Sequence, residues 1–230
     1  MVEVLVLEHE AAHYAAAIGR AIPGVRVHVA RDVSDVPPGA AEADVLVALA
    51  HEIPDRLVAA MPRLRWLQAL TTGIDHLVGL PSLAADVRVT SARGIHGPQM
   101  AEMALMYMTA LSRNLRGMMA NQGAARWERW PQPFLMGKTA VLVSIGAISE
   151  TVAARCRAFG MRVVGVSDAR TEAAALDAVL PRARLVKAAA QADFLIVLVP
   201  SEATTRHLVS EAVLAAMQPG AFVINLTRAR

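Results

Sequence analysis

The stretch TAVLVSIGAISETVAARCRAFGMRVVGVSDAR, from Thr139 to Arg170, constrains the chain more than any other. An apolar β-branched run, a turn of small residues, a helical pattern and a second apolar run spell strand, tight turn, helix and strand. A helical crossover of this kind returns the chain to the same end of a sheet, so the two strands must lie parallel. The turn reads Ser144-Ile145-Gly146-Ala147-Ile148-Ser149, which is the dinucleotide-binding pattern G-x-G-x-x-G with serine at its first and third positions.

Each glycine of that pattern has its own task. Gly146 is the one that lets the backbone approach a pyrophosphate, with the amides of the helix start pointing at the phosphate charge. Ser144 must make the turn with a Cβ, at roughly 1–2 kcal/mol if the backbone there is left-handed. Ser149 adds atoms where helix and strand pack closely, and overpacking costs about 1–3 kcal/mol. Since about 1.4 kcal/mol is tenfold in affinity, a loss of one or two decades is expected while the fold survives. A strand, turn and helix also form with no ligand, so this motif alone leaves both readings open.

Composition narrows the class. The 230 residues are 55% hydrophobic, ample for one large domain or two modest ones. The start, MVEVLVLEHEAA, carries acid where a signal peptide carries positive charge, and no apolar run approaches the roughly 18 residues of a membrane span. A soluble, cytoplasmic protein with no membrane partner is expected. The single cysteine, Cys156, cannot form an internal disulfide and reads as packing within a helix. The net charge of +3 comes with scattered arginines, which excludes a basic nucleic-acid surface. No metal site is expected.

Apolar strand-like runs alternate with helical ones along the whole chain. In the first part these are VEVLVL, a helix around His9 to Gly19, VRVHVA, DVLVAL from Asp44, a helix around Pro54 to Met61, LRWLQAL from Leu64 and VRVTSA from Val87. This is the repeat of a parallel sheet covered on both faces. A long helix is expected from Gly94 to Met119, with Pro98 near its start, followed by a loop over Trp127 to Met136. The second part predicts strands at Thr139–Val143, Arg162–Val166, near Arg184–Val186, Phe194–Pro200 and Ala221–Leu226. Helices are expected at Ile148–Phe159, Thr171–Ala178 and Ser210–Met217. A doubly wound nucleotide domain normally has six or so strands, so the sheet is expected to stop early and leave AFVINL at an unpaired edge.

Five segments in order carry a likeness beyond these patterns: LQALTTGIDHL, GIHGPQMAEMAL, the block from Leu135 to Gly165, ADFLIVLVPSEATTRHLV and MQPGAFVINLTRA. Together they resemble the D-isomer-specific 2-hydroxyacid dehydrogenases along nearly all of the chain, and GIHGPQMAE looks most like glyoxylate or hydroxypyruvate reductase-type members. The resemblance implies an α/β protein of two doubly wound parallel-sheet domains. Residues 1–97 would form a flavodoxin-like substrate domain, and residues 98–230 a Rossmann dinucleotide-binding domain truncated at its C-terminal end.

By that resemblance the chemistry is hydride transfer between a nicotinamide and a small 2-oxo or 2-hydroxy acid. Backbone N–H groups at Thr72, Gly73 and Ile74 would hold the substrate carboxylate, and Arg228 would fork onto the carboxylate and carbonyl oxygens. A histidine with a glutamate partner would deliver the proton. In the family that pair follows the segment represented here by Asn225 to Ala229, after which only Arg230 remains, so Arg228 is the one member of the trio expected in this sequence. His9, His13, His28 and His51 fall in the first domain. His76 and His96 suit loop-anchoring or helix-start roles, and His207 a surface helix.

The resemblance also places cofactor contacts. Ser144, Gly146, Ala147 and Ile148 would surround the pyrophosphate and ribose, Pro200 the adenosine side, and Leu226 and Thr227 the nicotinamide side. Ser167 occupies the position where NAD-preferring members place an acid. Its neighbour Asp168 would repel a 2′-phosphate and Arg170 would attract one, so NAD is expected and NADP remains open. The methionines at 100, 103, 106, 108, 118 and 119 are too many for one buried stripe; either some face a partner or they are core alone, and the resemblance implies a homodimer through Gln99 to Met119. Serine at 144 and 149 and alanine at 229 leave a second class open: a noncatalytic dinucleotide-binding or interaction protein on the same scaffold.

Overall fold

The computed structural model describes residues 1–200 and 203–227. Two compact units, Met1–Arg93 and Gly94–Arg230, make up the chain. The first runs β1 (Glu3–Leu7), α1 (Ala11–Ala21), β2 (Arg26–Ala30), β3 (Val45–Ala48), α2 (Asp55–Ala59), β4 (Trp66–Ala69), α3 (Asp75–Val78) and β5 (Arg88–Ser91). Its five strands are all parallel, in the order β2-β1-β3-β4-β5, which is the flavodoxin-like order. The strands read as unbroken apolar runs because both faces are covered. Leu5, Leu7, Leu46 and Leu67 pack with Leu57 and Val58 of α2 and Leu77 of α3. The alternate residues Val4, Val6, Val45 and Val47 pack with Ala11, Tyr14 and Ile18 of α1.

The second unit runs α4 (Gly97–Ser112), α5 (Leu115–Gly123), β6 (Thr139–Val143), α6 (Ala147–Ala158), β7 (Arg162–Val166), β8 (Ala178–Leu180), α7 (Leu185–Ala189), β9 (Phe194–Val197), α8 (Glu211–Ala216) and β10 (Phe222–Asn225). The order β10-β9-β6-β7-β8, again all parallel, is the 3-2-1-4-5 arrangement of a doubly wound nucleotide fold. Ala140, Leu142, Val163 and Ile196 face Ala101, Ala104 and Met108 of α4 and Val152, Ala153 and Cys156 of α6. Val141, Val143, Val164 and Leu195 face Leu185, Ala188 and Ala189 of α7 and Val213 of α8. Among the described residues β10 pairs only with β9 and forms the sheet edge that the sequence reading expects.

Both sheets use the same anchor for their first strand. Asp44 lies just before β3, and its Oδ2 accepts the Glu3 N–H at 3.0 Å, where β1 begins. Asp193 lies just before β9, and its Oδ2 accepts the Thr139 N–H at 2.8 Å, where β6 begins. Each carboxylate also meets a cation, Arg63 at 3.1 Å and Lys138 at 2.9 Å. Asp44 is buried, and its carboxyl is held below the usual carboxylate range, first by the Glu3 N–H and then by Arg63.

Four local expectations need correction. The expected helix from Gly94 to Met119 is two helices, because Asn114 adopts φ 51° and its side chain accepts the Gly117 N–H at 3.2 Å, capping α5. No helix spans Thr171 to Ala178, despite its run of alanines. The segment is held as turn and strand by Asp177, whose Oδ2 accepts the Val163 N–H at 2.7 Å, and by the pairing of β8 with β7. The third strand is therefore Ala178–Leu180, and Arg184–Val186 instead lies where a 3₁₀ turn runs into α7, whose Leu185, Ala188 and Ala189 it buries. His207 sits in an exposed turn with φ 56°, not on a helix.

Candidate functional site

In the second unit the strand order reverses between β6 and β9. The helices that follow these two strands lie on opposite faces of the sheet, α6 with one core and α8 with the other. Such a switch point opens a crevice beyond the carboxyl ends of the strands, where ligands of doubly wound folds bind. The sequence-nominated residues fall at those ends: Ser144 to Ile148 after β6, Ser167 and Asp168 after β7, Pro200 after β9, and Leu226 and Thr227 after β10. Because all five strands are parallel, one edge of one sheet gathers them.

The turn after β6 is built from its two serines. Ser144 has φ 95°, the left-handed side that favours glycine, and its N–H donates to Val166 O at 3.0 Å. Ser149 is 2% exposed, and its hydroxyl donates to Ser144 O at 2.9 Å. The residue that crowds the third fingerprint position thus braces the strained residue at the first. Between them Ile145 is buried over Gly165 of β7. A Cβ at 165 would lie 2.7 Å from Ile145 Cδ1 and 2.6 Å from Leu176 Cδ1. Gly165 is therefore a positioning residue that the sequence reading missed; a lone glycine inside an apolar strand was its signal.

Gly146 is different. Its φ of −145° and ψ of −173° are extended, open to any residue, and a Cβ there would meet no atom within 4 Å. Neither backbone nor packing asks for glycine at this place, whereas a ligand pressed against the main chain does. Gly146 is also the N-cap of α6, and no side chain caps that 12-residue helix. Its first amides and the positive end of its dipole are thus left for an anion. The turn fits a pyrophosphate.

At the end of β7, Ser167 Oγ accepts the Ala169 and Arg170 N–H groups, each at 3.2 Å, and closes a tight turn. Asp168 Oδ1 accepts the Arg182 N–H at 2.8 Å, and its side chain remains 60% exposed. Arg170 Nη1 lies 2.6 Å from Oε1 of Glu150, the acid in the first turn of α6. After β9, Pro200 is exposed and its carbonyl accepts the Thr205 hydroxyl at 2.6 Å. After β10, Leu226 N–H donates to Val197 O at 3.1 Å, and Asn225 Oδ1 accepts both the N–H and the hydroxyl of Thr227 at 2.9 and 2.7 Å. Arg228 and Ala229 lie outside the described residues.

In the first unit, Thr72, Gly73 and Ile74 form the loop between β4 and α3. Thr71 Oγ1 donates to Gly73 O at 2.8 Å and Thr72 Oγ1 to Ala92 O at 3.2 Å, which ties the loop to the chain just after β5. His76 anchors the same region through a 2.9 Å contact between Nε2 and Ile53 O, and His96 is the N-cap of α4. Cys156 is fully buried, and burial pushes its thiol up to about 12, so it packs and does not react. Among the described residues no cluster of His, Cys, Asp and Glu could hold a metal, and no helix is long and apolar enough to cross a membrane.

The chain is similar to known proteins over most of its length. A model of the D-isomer specific 2-hydroxyacid dehydrogenase NAD binding domain matches residues 105–230. Hydroxypyruvate reductase of Thermotoga maritima is 27% identical over 190 residues, covering 81% of this chain and 61% of that protein. D-3-phosphoglycerate dehydrogenase of Mycobacterium leprae is 30% identical over 190 residues, covering 81% of this chain and 36% of that protein. The chain thus spans 61% and 36% of the lengths of these two curated relatives. A crystal structure of a D-isomer specific 2-hydroxyacid dehydrogenase family protein from Aeromonas salmonicida subsp. salmonicida A449 is 31% identical. It superposes with a TM-score of 0.91 and covers 99% of this chain and 73% of that one.

Proposed function

The chain belongs to the D-isomer-specific 2-hydroxyacid dehydrogenase family, and from that premise we propose that it serves NAD(P)-dependent interconversion of a small 2-oxo acid and its 2-hydroxy acid. In this reading residues 98–230 bind the dinucleotide and residues 1–97 bind the substrate. A bound nicotinamide supplies or accepts the hydride. Gly146 and the first amides of α6 hold the pyrophosphate, with Ser144 shaping the turn and Ala147 and Ile148 beside it. Ser167 and Asp168 border the adenosine ribose, Pro200 the adenosine side, and Leu226 and Thr227 the nicotinamide side. The N–H groups of Thr72, Gly73 and Ile74 take the substrate carboxylate, and Arg228 forks onto the carboxylate and the carbonyl oxygen, favouring the charge that develops there. Proton delivery to the alkoxide is the task of a histidine and glutamate pair in this chemistry, and we assign no residue among 1–230 to it.

The observation that carries the reading is Gly146: an ordinary backbone conformation, empty space above the Cα, and an uncapped helix behind it at the switch point. Gly146→Val tests it. Stability should fall by no more than about 1 kcal/mol, the cost of a poorer N-cap. Affinity for NADH or NADPH should fall at least about tenfold, because a branched side chain fills the approach to the phosphates. Unchanged affinity in the variant, or no binding of either dinucleotide to the unaltered chain, would overturn the reading. A second reading, a dinucleotide-binding protein without catalysis, is favoured by serine at both outer fingerprint positions. Following NADH and NADPH oxidation with glyoxylate and hydroxypyruvate separates the two, since turnover well above background eliminates the noncatalytic one.

Self-association belongs to the same proposal. Met106, Tyr107, Leu111, Leu115 and Met119 are exposed along α4 and α5. Several of them border a groove of about 910 Å³ whose far side is the open edge of β10. Covering such a face supports a homodimer through Gln99 to Met119, which light scattering across a concentration series would test.

A further inference from the structure

We infer that Glu150, rather than Asp168, sets the choice between NAD(H) and NADP(H), and that it does so by holding Arg170. This inference rests on the dinucleotide reading above. The choice between the two cofactors is made where the second strand of a nucleotide fold ends: a carboxylate there accepts from the ribose 2′-hydroxyl, and an arginine there welcomes a 2′-phosphate. In this chain the strand is β7, and the residue after it is Ser167, which has no charge and spends its hydroxyl oxygen on the N–H groups of Ala169 and Arg170. Asp168 is the acid nearest in sequence, yet its Oδ1 accepts the Arg182 N–H at 2.8 Å and its Oδ2 faces Arg182 Nε at 3.8 Å. It is bound to the segment after β8.

Glu150, and not Asp168, is the acid in contact with Arg170. It stands in the first turn of α6, one residue beyond the fingerprint, on the same helix end that faces the phosphates. Its Oε1 is 2.6 Å from Arg170 Nη1, and both side chains remain partly exposed, at 42% and 43%. A cofactor 2′-phosphate would have to take Arg170 from this partner and would bring a near-double negative charge beside the Glu150 carboxylate. A ribose 2′-hydroxyl does neither, and a carboxylate can accept its hydrogen bond. Glu150 therefore competes for a cation suited to NADP(H) and repels the group that distinguishes it.

The test is fluorescence titration of the unaltered chain, Glu150→Gln, Asp168→Asn and the double variant Glu150→Gln with Arg170→Ala, each with NADH and with NADPH. Glu150→Gln keeps the shape and removes the charge. The ratio of NADPH to NADH affinity should rise about tenfold, carried by a gain for NADPH, a shift of the size one freed charge-assisted contact gives. The gain should vanish in the double variant and should diminish in added salt. An unchanged ratio in Glu150→Gln, a gain that survives loss of Arg170, or a larger shift in Asp168→Asn overturns the inference while the cofactor reading stands. Failure of the unaltered chain to bind either dinucleotide removes both. A merely structural role for Glu150 would move the melting temperature and leave the ratio alone.

Discussion

Ser149→Ala should weaken dinucleotide binding far more than it weakens the fold, and Ser144→Gly should reverse the effect. Ser149 Oγ donates to Ser144 O at 2.9 Å, and Ser144 holds φ 95°. A left-handed backbone at a residue with a Cβ costs roughly 1–2 kcal/mol. The hydroxyl bond contributes about 0.5–1.5 kcal/mol, enough to hold the turn in that state. Without it the turn can relax toward negative φ, recovering the strain, so the net loss of stability stays at about 1 kcal/mol or less. Binding must then restore the strained turn, and a charge of about 1–2 kcal/mol weakens affinity roughly 5- to 30-fold. With glycine at 144 there is no strain to restore, so Ser149→Ala should cost no more than about twofold in that background. Ser144→Gly alone should raise stability by about 0.5–1 kcal/mol, the relieved strain less the extra freedom glycine gives the unfolded chain. The assay is a double-mutant cycle read twice, by thermal melting and by NADH titration. Equal losses of affinity from Ser149→Ala in both backgrounds would refute the reasoning, because the two serines would then act independently.

Two further outcomes follow from the same geometry. Gly165→Val should destabilise the second unit by about 1–3 kcal/mol, because its side chain must displace Ile145 and Leu176, whose Cδ1 atoms would lie 2.7 and 2.6 Å from even a Cβ; chemical denaturation reads it, and a stable variant would show that Ile145 is free to move. Asp44 has its folded pKa depressed, so its contribution is fully present above the ordinary aspartate value of about 3.9 and is lost as pH falls through the lower folded value. Glu3 is shifted the same way, first by its hydrogen bond to His28. Melting curves from pH 7 to pH 3 should therefore fall on the acid side, and Asp44→Asn should flatten that fall while lowering stability at neutral pH; an unchanged acid limb would count against the carboxylate as the titrating group.

Most strands were legible because burial on both faces leaves the same mark everywhere, an unbroken run such as VEVLVL or FLIVLV. The shortest elements were not. Residues 173–176, AAAL, carry strong helical propensity, yet Asp177 fixes the neighbouring backbone and β8 pairs with β7, so tertiary pairing overrides propensity. Asn114 looks like any polar residue in a helical pattern, and only its left-handed backbone shows that the helix stops there. At the site, Gly146 announced itself by its motif. The bracing of Ser144 by Ser149 did not, because the sequence shows two substitutions and only the fold shows that they touch. Glu150 and Arg170 stand 20 residues apart in sequence and meet only because α6 folds back beside the turn after β7.

The two ends of the second sheet divide the work. At the start of β6, Asp193 and Lys138 fix the strand by charge-assisted contacts of 2.8 and 2.9 Å. At its finish stands the turn whose Ser144 is bent away from ordinary geometry. Five residues of strand, about 17 Å, lie between anchor and turn. A paired strand does not stretch, so an anchor at one end sets where the other end falls. The first unit repeats the anchor with Asp44 and Glu3 and places the loop of Thr71 to Ile74 at the finish of β4, two strands over in the same parallel sheet. Strain is tolerable at the finishing ends because the starting ends hold the register. A chain that replaces two fingerprint glycines by serine can therefore keep its turn in place, provided the new side chains satisfy one another, as Ser149 and Ser144 do.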